Sequence, residues 1–149
     1  MRYYGYEEFL TDMKGLLKQA KGYDPDAIIA VARGGLSIAQ MLAEGLDLRS
    51  VYSINSIHYE GEQKLDYIKI NNIPDLGQAK KVLVVDDIVD SGDTMREVMR
   101  VLTEQYPGID FKVLTLFQKA SARFRADFWS QESNEWIDFF WIGDIKNPA

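Results

Sequence analysis

The 149-residue chain contains no cysteine and a single histidine, His58. The lack of cysteine excludes disulfide bonds and thiolate chemistry, and one histidine cannot build a histidine metal cluster. A bound metal should therefore be a hard cation with oxygen ligands. No apolar run approaches the length of a membrane-spanning helix, and the N-terminus lacks the basic and apolar regions of a signal peptide. We expect a soluble, cytoplasmic protein that does not contact a membrane.

Positive charge is also scarce. The 17 lysines and arginines face 23 aspartates and glutamates, for a formal net charge of −6. This balance disfavours a broad footprint on the phosphate backbone of a nucleic acid, so we expect no nucleic-acid partner. The length and the hydrophobic content of 46% fit one domain over residues 1–149, and a domain of this size buries roughly 70% of its unfolded surface.

The hydrophobic pattern predicts alternating strands and helices. Strands are predicted at Ala27–Ala32, Ser50–Ile57, Tyr67–Ile70, Val82–Val85 and Phe111–Phe117, and helices at Tyr6–Lys21, Leu36–Glu44 and about Thr94–Gln105. The aromatic-rich tail, Ala126–Trp141, shows no helical period. Alternation of strands and helices predicts an α/β protein with a parallel sheet.

The segment VLVVDDIVDSGDT, Val82–Thr94, carries the clearest functional signal. Its apolar run lacks polar alternation, which is typical of a strand covered on both faces. Asp86 and Asp87 follow at the ligand edge of the predicted sheet, and the small-residue loop Asp90–Thr94 opens a helix. Backbone N–H groups at such a helix start can bind phosphate, and paired carboxylates can bind a ribose diol or a metal.

The DSGDT loop also has a purely structural interpretation. Asp93 or Thr94 could cap the helix, and Thr94 with Glu97 would form a capping box. That interpretation would suffice for the loop alone. The acidic pair favours a ligand, because two carboxylates at the end of a buried strand need water, a cation or hydrogen-bond donors.

Val82–Thr94 resembles the signature of the type I phosphoribosyltransferases, which is an apolar strand, two acids, two apolar residues and D[ST]GxT. The likeness to the small bacterial xanthine-guanine and hypoxanthine members continues through AVARGGL at Ala30–Leu36, LFQK at Leu116–Lys119 and EWIDFFW at Glu135–Trp141. The resemblance implies the type I phosphoribosyltransferase fold, a mostly parallel central sheet flanked by helices with a small hood from the C- and N-terminal segments.

The same resemblance implies purine salvage. Phosphoribosyl pyrophosphate and a 6-oxopurine (xanthine, guanine or hypoxanthine) would give a purine nucleoside 5′-monophosphate and pyrophosphate, with Mg²⁺ as cofactor. Members of the family usually form homo-oligomers, so a dimer or tetramer is expected. Arg33, Gly34 and Lys64 would bind pyrophosphate. A tight turn with a surface arginine, and a solvated lysine in a polar loop, are the structural alternatives for these residues.

In the phosphoribosyl part of the site, Asp86 and Asp87 would lie near the ribose hydroxyls, with Asp87 contacting the metal. The phosphate loop would comprise Asp90, Ser91, Gly92, Asp93 and Thr94. Asp93 stands where the family has a smaller or neutral residue, so we expect its carboxylate to point outward or to cap the helix. Asp90 would be the catalytic residue beside purine N7, able to take or return that proton.

In the purine part, Lys119 would donate to the purine O6, which favours an oxo group over the amino group of adenine. Trp136 would stack on the base, Ile137 would meet its edge through the backbone, and Asp90 would complete the subsite. Phe139, Phe140 and Trp141 fit an edge strand or a subunit contact.

Two other functions fit parts of the pattern. A phosphoacceptor receiver domain also has a VLVVDD-like strand, although here the strand leaves too little chain for the rest of that fold. A non-catalytic regulator that senses a nucleotide would have the same fold, but the acidic charge and the retained Asp90, Lys119 and Trp136 favour an enzyme.

Overall fold

A computed structural model describes residues 1–59 and 67–148 of the chain. The strands are β1 Arg2–Tyr4, β2 Ala27–Ala32, β3 Val51–Tyr59, β4 Tyr67–Asn71, β5 Lys81–Val89, β6 Asp110–Gln118, β7 Phe128–Glu132 and β8 Ile137–Phe139. The helices are α1 Tyr6–Tyr23, α2 Leu36–Leu46, α3 Asp93–Gln105 and α4 Phe140–Lys146. None of the helices in this described part is long and apolar enough to span a membrane.

Six strands form the central sheet in the order β4-β3-β2-β5-β6-β7. All neighbours are parallel except β3 and β4, which form an antiparallel pair. The parallel strands bring their carboxyl ends to one edge, where α/β proteins bind ligands. The predicted α/β class and the mostly parallel sheet are confirmed.

Strand β5 lies in the interior of the sheet and is covered on both faces. Leu83 and Val85 join the core that includes residues of α1 and α2, whereas Val82 and Val84 join the core that includes residues of α3. All four side chains are fully buried. The unbroken apolar run in the sequence therefore reflects burial on two faces, as expected for a central parallel strand.

A second, two-stranded sheet joins the two ends of the chain. Strand β1 pairs in parallel with β8, with Arg2 opposite Ile137 and Tyr4 opposite Phe139. The resemblance implied a small hood from both termini, and this sheet with α4 forms that part of the molecule. Neither β1 nor α4 was predicted, because a three-residue strand and a seven-residue helix are too short to show a period.

The prediction that a strand ends at Val85 was wrong. Strand β5 continues through the acidic pair to Val89, and its ladder with β6 includes Asp86 opposite Thr115 and Val89 opposite Gln118. Pairing with β6 holds the backbone extended beyond the apolar run. The two carboxylates therefore lie within the last part of the central strand instead of in the loop after it.

Candidate active site

The acidic pair is held close to the protein interior. Asp86 and Asp87 are half-buried, and the Asp87 N–H donates to Asp86 Oδ1 at 2.8 Å. Burial and the adjacent Asp87 carboxylate raise the pKa of Asp86 well above the usual aspartate value. Burial also raises the pKa of Asp87. Two neighbouring carboxylates with raised pKa values form a site that a cation or a hydroxyl donor would stabilise.

The loop after β5 turns sharply into α3. Gly92 has a φ of 96°, and a Cβ added there would lie 2.6 Å from the backbone nitrogen of Phe124. The side chain of Ser91 accepts a hydrogen bond from the Asp93 N–H at 3.1 Å. Position 92 therefore requires glycine, both because its backbone is left-handed and because a neighbouring segment approaches it closely.

The structural alternative for the loop, in which Asp93 or Thr94 caps α3, is wrong. Helix α3 begins at Asp93, and its N-cap residue is Gly92, which makes no side-chain cap hydrogen bond. The close approach of Phe124 to Gly92 leaves no room for a side chain at this N-cap position. Asp93 is exposed in the first turn, in line with the expectation that its carboxylate points outward.

A cavity of about 260 Å³ opens at the carboxyl end of β5. Its lining includes most of the predicted phosphoribosyl residues together with Gly34, namely Asp86, Asp87, Asp90, Ser91, Gly92 and Thr94. Asp93 instead lines a neighbouring cavity with Arg96. The structure therefore brings the predicted residues together apart from Asp93, which lies beside them.

The loop between β2 and α2 approaches the acidic pair closely. A Cβ added to Gly34 would lie 2.5 to 2.7 Å from the carboxylate atoms of Asp87, so a larger residue would displace the carboxylate or the loop. The segment is also a tight turn, since the Gly35 N–H donates to the Val31 carbonyl at 2.9 Å. The structural and functional interpretations of this loop are therefore compatible.

Arg33 lines a cavity of about 450 Å³ with Gly34 and Asp87, and α4 contributes Trp141 and Lys146 to the same cavity. Lys146 had no signal in the sequence, because it lies beyond the last recognised motif, which ends at Trp141. Lys64, the third predicted pyrophosphate residue, lies outside the described residues.

The predicted purine residues line a third cavity, of about 430 Å³. Asp90 and Lys119 lie on its sheet side, and Trp136 and Ile137 on its hood side. Lys119 Nζ is 3.1 Å from Asp90 Oδ1. The side chain of Trp136 is 72% exposed, whereas Ile137 is buried. A flat, largely exposed indole beside a cavity with an ion pair is suited to stacking on a heterocyclic base.

The three cavities meet at one residue. Asp87 lines the cavity with the phosphate loop, the cavity with Arg33 and the cavity with Trp136, and Asp90 lines the first and the third of these. A single ligand with three arms, or two ligands reacting at their junction, would therefore pass beside the Asp87 carboxylate.

The donor set at this junction fits magnesium bound together with a ligand. Among residues 1–59 and 67–148, no group of three or more histidine, aspartate or glutamate side chains could hold a metal unaided. Mg²⁺ is usually held by one or two carboxylates, with substrate phosphates and water as its other ligands. The Asp86–Asp87 pair provides such carboxylates, with Asp87 at the junction of the three cavities and Asp86 beside it in the cavity with the phosphate loop.

The chain belongs to the family defined by the phosphoribosyl transferase domain, whose family model matches residues 4–144. It is 32% identical to the xanthine-guanine phosphoribosyltransferase of Cereibacter sphaeroides over 145 residues, which cover 91% of this chain and 83% of that relative. The resemblance to the type I phosphoribosyltransferases is confirmed.

Solved structures agree with this assignment. The fold is similar to that of a xanthine-guanine-hypoxanthine phosphoribosyltransferase from Helicobacter pylori, with a TM-score of 0.92, 42% identity, and coverage of 98% of this chain and 96% of that one. It is also similar to a purine phosphoribosyltransferase from Pyrococcus horikoshii, with a TM-score of 0.83, 28% identity, and coverage of 99% and 95%. The expected fold class is therefore confirmed.

Proposed function

We propose that this protein is a purine salvage enzyme that transfers the phosphoribosyl group of phosphoribosyl pyrophosphate to a 6-oxopurine. The products are a purine nucleoside 5′-monophosphate and pyrophosphate, and the base is xanthine, guanine or hypoxanthine. The observation that carries the proposal is the meeting of three cavities at Asp87. The reaction joins a base, a ribose phosphate and a pyrophosphate at one carbon atom, so it needs three subsites around one point.

The phosphate loop and the acidic pair hold the phosphoribosyl group in this proposal. Backbone N–H groups at the start of α3 and the hydroxyls of Ser91 and Thr94 bind the 5′-phosphate. Asp86 and Asp87 accept hydrogen bonds from the ribose hydroxyls. Asp93 belongs to the loop through its backbone, since its exposed carboxylate would repel a phosphate dianion.

Lys119 and Asp90 recognise the base in this proposal. The Lys119 ammonium has donors only, so it selects a purine O6 acceptor over an amino group. Asp90 accepts the proton at N7 while N9 attacks the anomeric carbon, which makes it the catalytic residue. The 3.1 Å separation of their charged atoms suits the adjacent O6 and N7 atoms of a purine edge. Trp136 stacks on the ring, and the backbone of Ile137 meets its edge.

Arg33 and the backbone at Gly34 receive the pyrophosphate, and Lys64 is proposed to supply a further cation. Mg²⁺ held beside Asp87 would neutralise charge on the departing pyrophosphate. The bond between the anomeric carbon and the pyrophosphate oxygen breaks through an oxocarbenium-like transition state, as in other glycosyl transfers. The protein contributes mainly by positioning the reactants and by placing charge around them.

A steady-state assay tests the function directly. Pyrophosphate release is measured with phosphoribosyl pyrophosphate and each of xanthine, guanine, hypoxanthine, adenine and orotate. We expect turnover with at least one oxopurine and little with adenine or orotate, because the Lys119 donor has no acceptor on adenine C6. Full chelation of divalent cations should abolish turnover. Absence of turnover with every oxopurine, or turnover that survives chelation, would contradict the proposal.

Membership of the phosphoribosyl transferase family excludes the receiver-domain alternative. The nucleotide-sensing regulator predicts nucleotide binding without turnover, and the same assay separates it from the enzyme. We further propose one domain over residues 1–149, a cytoplasmic location and a homo-oligomer, either a dimer or a tetramer. Sedimentation of the purified protein tests the last of these.

A further inference from the structure

The two walls of the base cavity belong to different sheets. Lys119 follows β6 of the central sheet, whereas Trp136 immediately precedes β8 of the two-stranded sheet. Strand β8 has three residues, and its sheet partner is β1. The distance between the two walls therefore depends on how β1 is attached to the rest of the protein, as well as on the direct packing of Phe139 against Phe117, with 5.9 Å between ring centroids.

Strand β1 holds the hood side of the cavity through its backbone and one ring. The Arg2 N–H donates to the Trp136 carbonyl at 2.9 Å. The ring of Tyr4 packs edge-on against Phe139, which lines the base cavity, with 5.8 Å between ring centroids. It also packs edge-on against Phe117, two residues before Lys119, at 4.9 Å. Tyr4 thus connects the two walls, through Phe139 on the hood side and through Phe117 on the sheet side.

The hydroxyl of Tyr4 anchors the strand to α1. Tyr4 is fully buried, and its hydroxyl donates to Asp12 Oδ2 at 2.5 Å. The Gln131 side chain on β7 donates to the same oxygen at 2.8 Å. Burial, and next the hydrogen bond to Asp12, raise the pKa of Tyr4, so that its hydroxyl remains a neutral donor. One carboxylate oxygen therefore joins β1, α1 and β7.

A second contact holds β1 at its other end. The Arg2 guanidinium forms an ion pair with Glu8 of α1 and lies 5.5 Å from the centroid of the Phe117 ring. Glu8 also accepts a hydrogen bond from Gln131 at 2.8 Å. The Arg2 and Glu8 side chains are about one third exposed, so this ion pair is weaker than the buried tyrosine contact.

We propose that Tyr4 is a positioning residue for base binding. Its hydrogen bond to Asp12 holds β1, and through β1 the Trp136 and Ile137 wall, at the separation from Lys119 that a purine ring requires. The proposal rests on the proposed function for the identity of the ligand. It assigns Tyr4 no contact with either substrate, and its effect should appear mainly in base affinity, because the base cavity has Trp136 and Ile137 in its wall.

The test replaces Tyr4 with phenylalanine, which keeps the ring and removes the hydroxyl. We expect the KM for the oxopurine to rise about three- to tenfold, because a small displacement of a binding wall weakens a positioned ligand. The KM for phosphoribosyl pyrophosphate should stay within about twofold, since the acidic pair and the phosphate loop lie on the central sheet and only the α4 side of the Arg33 cavity follows the hood.

The chain offers a matched control in Tyr23→Phe. The Tyr23 hydroxyl also donates to an aspartate, Asp110 Oδ2, at 2.8 Å, and burial likewise raises its pKa. Asp110 begins β6, at the opposite end from Lys119. Tyr23 is half-buried, so this variant should lose thermal stability in the same direction as Tyr4→Phe but by a smaller amount, while both KM values remain at the wild-type level.

Asp12→Asn serves as a second variant, since Asp12 is only half-buried and its replacement should fold. It keeps an acceptor for Tyr4 without the charge, so we expect a smaller rise in the KM for the base. Equal effects of Tyr4→Phe and Tyr23→Phe, or parallel changes in both KM values, would overturn the positioning role.

Calorimetric binding of guanosine 5′-monophosphate separates the two proposals. If the wild-type protein binds this nucleotide but turns over no oxopurine, the proposed function fails, and the positioning role is still decided by whether Tyr4→Phe alone weakens binding. If turnover is normal and Tyr4→Phe leaves both the KM for the base and nucleotide binding unchanged, the positioning role fails and the proposed function stands.

Discussion

The two halves of the candidate site are built in different ways. The phosphoribosyl half comes from one continuous segment, Asp86–Thr94, which runs from the end of β5 into α3. The base half combines Lys119 after β6, Trp136 before β8 and the N-terminal strand that holds β8. The first half is fixed by local backbone geometry, whereas the second depends on packing between distant parts of the chain.

The halves also differ in charge and exposure. Asp86 and Asp87 are half-buried neighbours with raised pKa values, so the phosphoribosyl half contains unfavourable electrostatics before a ligand arrives. In the base half, Trp136 is largely exposed, and Lys119 already has Asp90 as its ion-pair partner. Substitutions should therefore affect chemistry and stability in the first half, and base affinity in the second.

The largest expected effect concerns Asp90, which lines the cavity with the phosphate loop and the base cavity. Asp90→Asn should lower kcat by about 10²- to 10⁴-fold, the usual contribution of a general acid or base. Folding should be unaffected, because the Asp90 side chain is 61% exposed. Steady-state kinetics with thermal melting measures both. Asp75→Asn, in an exposed loop away from the cavities, is the control. An unchanged kcat in Asp90→Asn would remove the residue from the catalytic role.

The next effect concerns Gly34, where the pyrophosphate loop approaches the acidic pair. Gly34→Ala should reduce kcat/KM for phosphoribosyl pyrophosphate by at least about tenfold, because the new methyl group would displace the Asp87 carboxylate. Gly22→Ala, in α1, is the control, since a Cβ added at Gly22 would have no neighbour within 4 Å. If both variants keep wild-type kinetics, the close approach of Gly34 to Asp87 has no functional importance.

The continuous half of the site could largely be predicted from the sequence. The apolar run Val82–Val85, the acidic pair and the loop are adjacent in the chain, so their spacing alone brings them to one edge of the sheet. The extension of β5 to Val89 could not be predicted in this way. It depends on pairing with β6, and polar residues in a strand carry no local signal of that pairing.

The assembled half could be predicted only in part. The resemblance indicated Lys119 and Trp136, but not the element that sets their separation. Strand β1 has three residues, and it exists because Arg2–Tyr4 pairs with a segment at the other end of the chain. Lys146 could not be predicted for a similar reason, since α4 has seven residues and no side-chain cap at its start. Short elements stabilised by tertiary contacts leave little periodicity in a sequence.

A third effect should be confined to the base half. Trp136→Ala should raise the KM for the oxopurine about 5- to 150-fold, because stacking on a base is worth about 1 to 3 kcal/mol. Thermal stability and the KM for phosphoribosyl pyrophosphate should change little, since the indole is 72% exposed. Trp136→Phe keeps a stacking face and should show an intermediate KM. An equal rise in the KM for the oxopurine and in the KM for phosphoribosyl pyrophosphate would show that the two halves are not independent.

The smallest expected effect concerns stability, and it tests whether the acidic pair is unfavourable in the folded protein. Because the pKa of Asp86 is raised in the folded state, that state binds more protons than the unfolded chain between the ordinary aspartate pKa of about 3.9 and the raised value. Unfolding free energy therefore falls as pH rises through this window, and the full penalty is present above it. Asp86→Asn removes one charge and should raise Tm at pH 7 by about 2 to 6 °C.

The advantage of Asp86→Asn should shrink as the pH falls towards about 4, where the wild-type carboxyl group also becomes neutral. Thermal melts of the wild-type protein and Asp86→Asn between about pH 4 and pH 7 measure this difference in Tm. Asp75→Asn should show no such trend. A lower Tm of Asp86→Asn at pH 7 would mean that the Asp86 carboxylate is stabilising in the free protein. A higher Tm together with weakened activity would show that the continuous half is arranged for its ligand at the expense of stability, as functional sites often are.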